Sequence, residues 1–479
     1  MNNPSKGLTK QIGLWSAISV VVGSIIGAGV FMKPAVMAEQ LGSPVWLILV
    51  WIIAGLFSLF GALILSELGT MWPETGGLYT YFRKTFGDFF SFLYGWSAFA
   101  VINTAAVAAI AWVCARYANY FLHVNGFSAD VEQSIIWHIP LIGDLYPLQD
   151  FGVKIIAIFI VTGLTILNYR SVKGGASFQL ISTVTKVVVF AALIAGIFIL
   201  GNGDTANFIH AESPPHGTDL LNGLVVAMTG AFFAYDGWIN ISFIAGEIRQ
   251  PQRNIPRSLF AGVVICIAIY VLINLAYLYV LPVEKMAGSA LIASDAMSIV
   301  MGATSGTVIA AMIVICTLGA VNGNLMATSR VTYAMGKDQL FFRAAGKTSR
   351  FRSPGIALVF HAVWTCLFIL TGTFDMLADM FVFITWLAYL LGAVAVLMLR
   401  RKMPKLERPY KTWGYPWVPV LFICFSFFYL LFTIITDINN YVKGGQPVIN
   451  SLFGLLITLL GVPLYFWIRR RNTTAKTSE

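Results

Sequence analysis

Two short stretches hold the residues best suited to gripping a charged small molecule. They are GSIIGAGVF, from Gly23 to Phe31, and TGAFFAYDGW, from Thr229 to Trp238. Each places glycine within an otherwise apolar run. Glycine weakens a helix and permits its backbone to unwind. An unwound helix exposes unpaired N–H groups at one new end and unpaired carbonyls at the other. Amides and carbonyls held close together suit a ligand that carries both an anion and a cation. The anion would rest on amides near Ile26, Gly27, Ala28 and Gly29. The cation would rest on carbonyls of Phe232, Phe233 and Ala234, and on those preceding Gly27. Ser24, Phe233, Tyr235 and Trp238 flank the two stretches and could line a pocket or close over it. The alternative for the glycines is close helix packing through small residues, and for the aromatics, ordinary packing or lipid contact.

Two ionisable residues stand out. Lys186 lies in TVTKVVVFAAL, and a lysine deep in an apolar span costs roughly 2.5–3.5 kcal/mol. About eight residues into its segment, its stem would not comfortably reach an interface. Its ammonium could replace a bound metal cation, or it could lose its proton during a cycle. Asp236 follows Tyr235. It either caps the second half of a broken helix or meets the ligand or a proton. Glu67 and Glu247 fall at segment ends and suit topology or gate contacts.

These residues need a scaffold, and the composition says what kind. Apolar residues make up 58% of the 479 and charged residues 11%. Soluble domains average roughly 45–50% and 25%. So little polar surface excludes disorder, nucleic-acid binding modules and most soluble enzymes; the solvent for most of the chain is lipid. Twelve apolar segments can be read, at about 13–33, 44–66, 90–118, 151–169, 178–200, 218–244, 258–281, 306–330, 355–373, 378–399, 416–437 and 447–468. With the N-terminus in the cytoplasm, 25 of the 31 Lys and Arg fall in tails and loops on that side. Five, namely Lys33, Arg116, Lys154, Lys285 and Lys443, fall on the other, and Lys186 is inside a segment. This bias is the positive-inside signature. It puts both termini in the cytoplasm and explains the net charge of +10 as topology, not as a patch for nucleic acid. Residues 1–10 are too polar and short for a signal peptide.

The two glycine-bearing segments lie five segments apart. That spacing suggests an inverted repeat with a site at the membrane midplane. The implied layout is a tail at 1–12, a first repeat at 13–200, an external loop at 201–217, a second repeat at 218–399, two further segments with a basic loop at 400–468, and a tail at 469–479. An α-amino acid is the obvious zwitterion of the cell, which makes it the natural ligand. The five cysteines, Cys114, Cys266, Cys316, Cys366 and Cys424, all sit in apolar segments without CxxC spacing. With no HExxH, GxSxG or Walker loop, the sequence gives no reason to expect a metal, a cofactor or an enzyme.

Four stretches resemble the amino acid–polyamine–organocation superfamily, and within it the bacterial form of the L-type amino acid transporter family. They are GSIIGAGVF, SELGTMWPETGGLYTYFRKTFG (Ser66 to Gly87), FFAYDGWINISFIAGEIRQPQRNIPRSL (Phe232 to Leu259) and LGAVNGNLMATSRVTYAMGKDQLFF (Leu318 to Phe342). The resemblance implies an all-α, polytopic membrane protein of twelve helices: five plus five in an inverted repeat, with helices 1 and 6 unwound, and two more. It implies sodium-independent transport of L-amino acids, often by exchange, in the plasma (inner) membrane. By motif position it assigns the carboxylate to Gly27, Ala28 and Gly29, an aromatic gate to Phe233 with carbonyls from Phe232 and Ala234, and the vacant sodium position to Lys186. The family often has serine where this chain has Ala28, so a hydroxyl contact is lost. Eukaryotic members carry a loop cysteine that bonds a heavy subunit; the loop 119–150 has none, so no disulfide-linked ancillary chain is expected. Neutral amino acids are favoured, because Asp236 is the only acid in the pocket segments. Proton symport, a cationic amino acid or polyamine exchanger, and a transporter-like sensor are the alternatives.

Overall fold

A computed structural model describes residues 12–477 apart from 75, 211–214, 350 and 352. The tail assigned to 1–12 thus lies outside the described residues except for Ile12, and so do Lys6, Lys10, Thr75, Arg350, Arg352 and part of the loop 201–217. The same holds for the end of the tail at 469–479, residues 478–479.

Among the described residues the chain is almost wholly helical. Ten helices are long and apolar enough to cross a membrane, and an eleventh span arises if Leu14–Ile25 and Gly29–Leu41 are taken together. The segment read at 355–373 forms a shorter apolar helix, Gly355–Thr371, of 17 residues. Helix starts follow local chemistry. Ser43 accepts a hydrogen bond from the Trp46 amide, and Pro44 opens the helix Pro44–Met71. Thr373 does the same for Phe374–Lys402 through Met376.

The third helical run, Asp88–Leu122, lies at the centre: 89% of its apolar window is buried, against 28% for Ile181–Leu200. Alanines at 105, 106, 108, 109 and 111 let neighbours approach this central run. Its middle, Ala98–Asn103, widens into a π-helix, and Trp364 donates to the Ala100 carbonyl there at 2.8 Å. Ile181, Val184, Val187 and Val188 are exposed, an apolar surface that suits lipid. Buried polar pairs join helices across the core: Asn168 donates to Asn322 at 2.8 Å, and Thr332 meets His361 at 2.8 Å.

Two polar assemblies lie off the core. At the end of Pro44–Met71, the buried Glu67 carboxylate receives Arg400 Nε at 2.9 Å and Nη2 at 2.6 Å. The Thr412 amide and hydroxyl, both at 2.8 Å, complete the set. This pins the basic loop after Phe374–Lys402. Nearby, a short helix Leu78–Phe86 reaches Asp338 through the Tyr79 hydroxyl at 3.1 Å. Burial, then the Asp338 carboxylate, raises the Tyr79 pKa, so this hydroxyl stays a donor.

The long connection 119–150 contains structure that hydropathy does not reveal. A helical turn, Ala129–Glu132, precedes an antiparallel hairpin of Trp137–Ile139 and Gly143–Leu145. Lys154 secures it. Its buried ammonium donates to the carbonyls of Tyr146 at 3.0 Å, Pro147 at 3.3 Å and Leu370 at 3.0 Å.

Candidate substrate site

The first helix ends at Ile25, and Ile26 turns extended (φ −67°, ψ 101°). A new helix starts at Gly29, bent by 46° from the first. The amides of Ala28, Gly29 and Val30 open this second helix, so they lack the carbonyl partners of a continuous one. Gly27 faces open space. A Cβ there would meet only the Ile25 carbonyl, at 3.7 Å.

The second interruption falls further along than the sequence suggests. The helix Gly217–Tyr235 runs unbroken through Gly230 and the stretch Phe232–Ala234. It stops at Asp236, passes through Gly237 at φ +114°, and resumes as a 3₁₀ helix, Trp238–Glu247. Gly230 does not unwind the helix. It makes room for the Lys33 stem, whose Cδ would stand 3.2 Å from a Cβ on Gly230. This is the packing role that small residues play between helices. Gly237 is the position that needs glycine, because its φ is positive and a Cβ would strike the Ser24 carbonyl.

The two interruptions cross. Gly29 abuts Ala234, and a Cβ on Gly29 would come within 2.6 Å of the Ala234 Cα. Tyr270, from the helix Pro251–Val280, ties both breaks together. Its hydroxyl is 2.9 Å from the Ile25 carbonyl and 3.0 Å from that of Ala234. It has one proton for two acceptors. Sequence reading missed Tyr270, since an aromatic in an apolar helix carries no local signal.

The carbonyls expected to bind a cation are not equally free. Phe232 O accepts the Asp236 amide at 3.0 Å, and Ala234 O faces Tyr270. Ile25 O likewise meets Tyr270 and Gly23 O meets Lys186, so Phe233 O and the Ser24 and Ile26 carbonyls remain the better candidates. Phe232 points its ring to Trp386, with centroids 3.8 Å apart. Tyr235 is not brought into the site: it is fully buried, and its hydroxyl donates to the Trp51 carbonyl at 3.0 Å. Asp236 does not cap the second half of the broken helix. Its carboxylate accepts from Tyr389 at 2.6 Å, and the residue that precedes the 3₁₀ helix is Gly237. Trp238 packs on Tyr389, 4.5 Å between centroids. Ile26 and Ala28 are buried, while Ser24 and Gly27 are half-buried.

Lys186 does reach the first break. Its ammonium donates to the Gly23 carbonyl at 3.3 Å and is buried. Beside it, Ser182 donates to the Ile315 carbonyl at 3.1 Å, which holds this helix against Ala303–Lys337.

Phe233 lies just before the second break. Its ring stands perpendicular to Phe374 and Phe381, at 5.6 and 5.8 Å. Lys33 lies over the far side of this cluster, 4.7 Å from the Phe374 ring, and pairs with Asp375 at 2.7 Å. The two helix breaks thus lie against each other, with the Phe233, Phe374 and Phe381 rings packed beside them.

The amino acid permease family model matches residues 12–462. The chain is 31% identical over 481 residues to the serine/threonine exchanger SteT of Bacillus subtilis (strain 168), covering 99% of this chain and 100% of that protein. It is 29% identical over 467 residues to the human b(0,+)-type amino acid transporter 1, covering 96% of this chain and 88% of that one. Against the large neutral amino acids transporter small subunit 2 of Oryctolagus cuniculus it is 29% identical over 471 residues, with 96% and 80% covered. The chain therefore belongs to the amino acid permease family of the amino acid–polyamine–organocation superfamily: it is an integral membrane amino acid transporter, not an enzyme.

Proposed function

We propose that this chain exchanges neutral L-amino acids across the inner membrane without sodium, by alternating access. The observation that carries the reading is the crossing of two helix breaks, with Gly29 against Ala234 and one hydroxyl, Tyr270, joining both. In this reading the substrate carboxylate rests on the amides of Gly27, Ala28 and Gly29, and its ammonium on Phe233 O and the carbonyls before Gly27. Phe233 is the cover that opens and closes. The Lys186 ammonium supplies a fixed positive charge at the first break, where a sodium-coupled carrier would place its ion. The short helix Gly355–Thr371 counts as a twelfth span, and the two broken segments head two inverted repeats, 13–200 and 218–399. The basic loops face the cytoplasm, by the positive-inside bias. SteT is named as an exchanger, which supports exchange here. One relative is named a small subunit; the loop 119–150 has no cysteine, so any partner would associate without a disulfide there.

Proton symport is the second reading, because Lys186 is a buried amine at the break itself. The test is uptake of labelled neutral L-amino acids into proteoliposomes in sodium-free buffer, with and without unlabelled amino acid inside. Uptake that requires internal substrate is the expected result. Uptake into empty vesicles that grows with an inward proton gradient would replace exchange with symport. No uptake of any L-amino acid would remove the reading altogether.

A further inference from the structure

From Arg400 to Trp417, where the helix Phe374–Lys402 gives way to Trp417–Val442, the chain carries six basic residues and one acid, Glu407. Two of the six are spent inside the protein. Arg400 pairs with Glu67 and lies over the Tyr415 ring, 3.7 Å from its centroid. Arg408 closes the helix end, donating to the carbonyls of Leu399 and Met403, both at 2.9 Å. A helix end leaves such carbonyls open, and a nearby arginine commonly takes them. The other four, Arg401, Lys402, Lys405 and Lys411, are exposed and form no ion pair among the described residues.

The loop is held so that apolar and cationic groups face outward together. Thr412 is buried and donates twice to Glu67. Its neighbours on either side, Lys411 and Trp413, both turn out to the surface, and Trp413 is 71% exposed. Trp417, 78% exposed, opens the next helix. It heads a stripe of exposed residues, Val420, Leu421, Cys424 and Phe428, at the spacing of one helix face. That stripe belongs to a helix long and apolar enough to span, so its exposed face suits lipid. Trp417 therefore sits where the lipid-facing side meets the polar end, the level that tryptophan favours at a membrane surface. A protein partner fits this surface poorly, because lysine is depleted at the core of protein interfaces. The headgroup layer of a bilayer offers an anionic and an apolar phase side by side.

We propose that this loop docks the headgroup of an anionic phospholipid. Lys411 meets the phosphate, and Trp413 and Trp417 pack against the glycerol and upper acyl chains. Arg401, Lys402 and Lys405 raise the local concentration of anionic lipid. The inference needs only a bilayer around the chain and does not depend on what the chain transports.

The test titrates the full-length protein in detergent with phosphatidylglycerol or with phosphatidylcholine of the same acyl chains, and counts bound lipids by native mass spectrometry. The wild type is compared with Lys411→Gln/Trp413→Leu and with Lys402→Gln/Lys405→Gln, which leaves the tryptophans and Thr412 untouched. A control, Lys84→Gln/Arg257→Gln, removes two exposed cations from other segments. The wild type should prefer phosphatidylglycerol. That preference should fall about tenfold in each loop variant and by less than about twofold in the control. No preference in the wild type, or an unchanged preference in both loop variants, overturns the docking site. An equal fall in the control assigns the preference to net charge and also overturns it. Displacement of phosphatidylglycerol by millimolar inorganic phosphate assigns the cations to a free anion and overturns it too.

Discussion

Gly29 and Ala234 meet with no room between them: a single Cβ on Gly29 would press to 2.6 Å from the Ala234 Cα and 2.7 Å from its Cβ. The contact joins the start of one half-helix to the end of another, 205 positions away along the chain. It sets how far apart the amides of the first break and the carbonyls of the second can be, and in the proposed site that spacing would limit the ligand.

Neighbouring glycines should therefore respond in opposite ways. Gly29→Ala overpacks a backbone contact, which costs about 1–3 kcal/mol, and should lower the melting temperature together with uptake. Gly27→Val has open space at its Cβ. It should change stability by only about 0.5 kcal/mol and abolish amino acid binding. Thermal unfolding in detergent, paired with a binding assay, separates the two. Normal transport by Gly27→Val would remove Gly27 from the site.

Tyr270→Phe keeps the ring and deletes the hydroxyl that links both breaks. A net loss of about 1 kcal/mol should raise KM about fivefold. The change should appear for several amino acids alike, because it affects backbone geometry and not a side-chain pocket. A KM within error of wild type would mean the link is dispensable.

Lys186→Met removes a buried ammonium with one carbonyl partner, Gly23, among the bonds described. Relief of the burial cost, roughly 2.5–3.5 kcal/mol on insertion scales, should leave the variant as stable as wild type or more so. Uptake should nonetheless fall about tenfold, equivalent to 1.4 kcal/mol of lost stabilisation. Wild-type rate and pH profile in this variant would deprive Lys186 of any part in coupling.

Glu67→Gln tests a contact remote from the substrate. The carboxylate takes four donors, two from Arg400 and two from Thr412, and is 1% exposed. Its loss strands the Arg400 guanidinium and takes the anion away from Arg408, whose Nε lies 3.5 Å from Oε1. Removing one partner of a buried pair costs about 3–5 kcal/mol, and the low end applies because Arg400 is 16% exposed. The melting temperature should drop, while KM for substrate in the surviving protein stays near wild type.

The sequence by itself determined the membrane class, eleven of the twelve segments read, the charge bias of the loops and the first break. Each is a local property. Hydropathy accumulates over about 20 neighbouring residues, and in an apolar segment one glycine pair or one lysine is conspicuous. That is why GSIIGAGVF and Lys186 were legible. Only the tertiary structure decided what touches what. Gly230 reads like a helix breaker, yet it accommodates the Lys33 stem; Gly237, one residue past the acid, carries the positive φ. Tyr235 reads like a pocket wall, yet its hydroxyl serves Trp51. Asp236 finds Tyr389, 153 positions away, and Tyr270 finds two carbonyls from two other helices. The hairpin in 119–150 is fastened by Lys154 of the helix that follows it to the carbonyl of Leu370, 216 positions further on. Such partners are chosen by how helices cross, and an apolar periodicity is the same whichever neighbour it ends up facing.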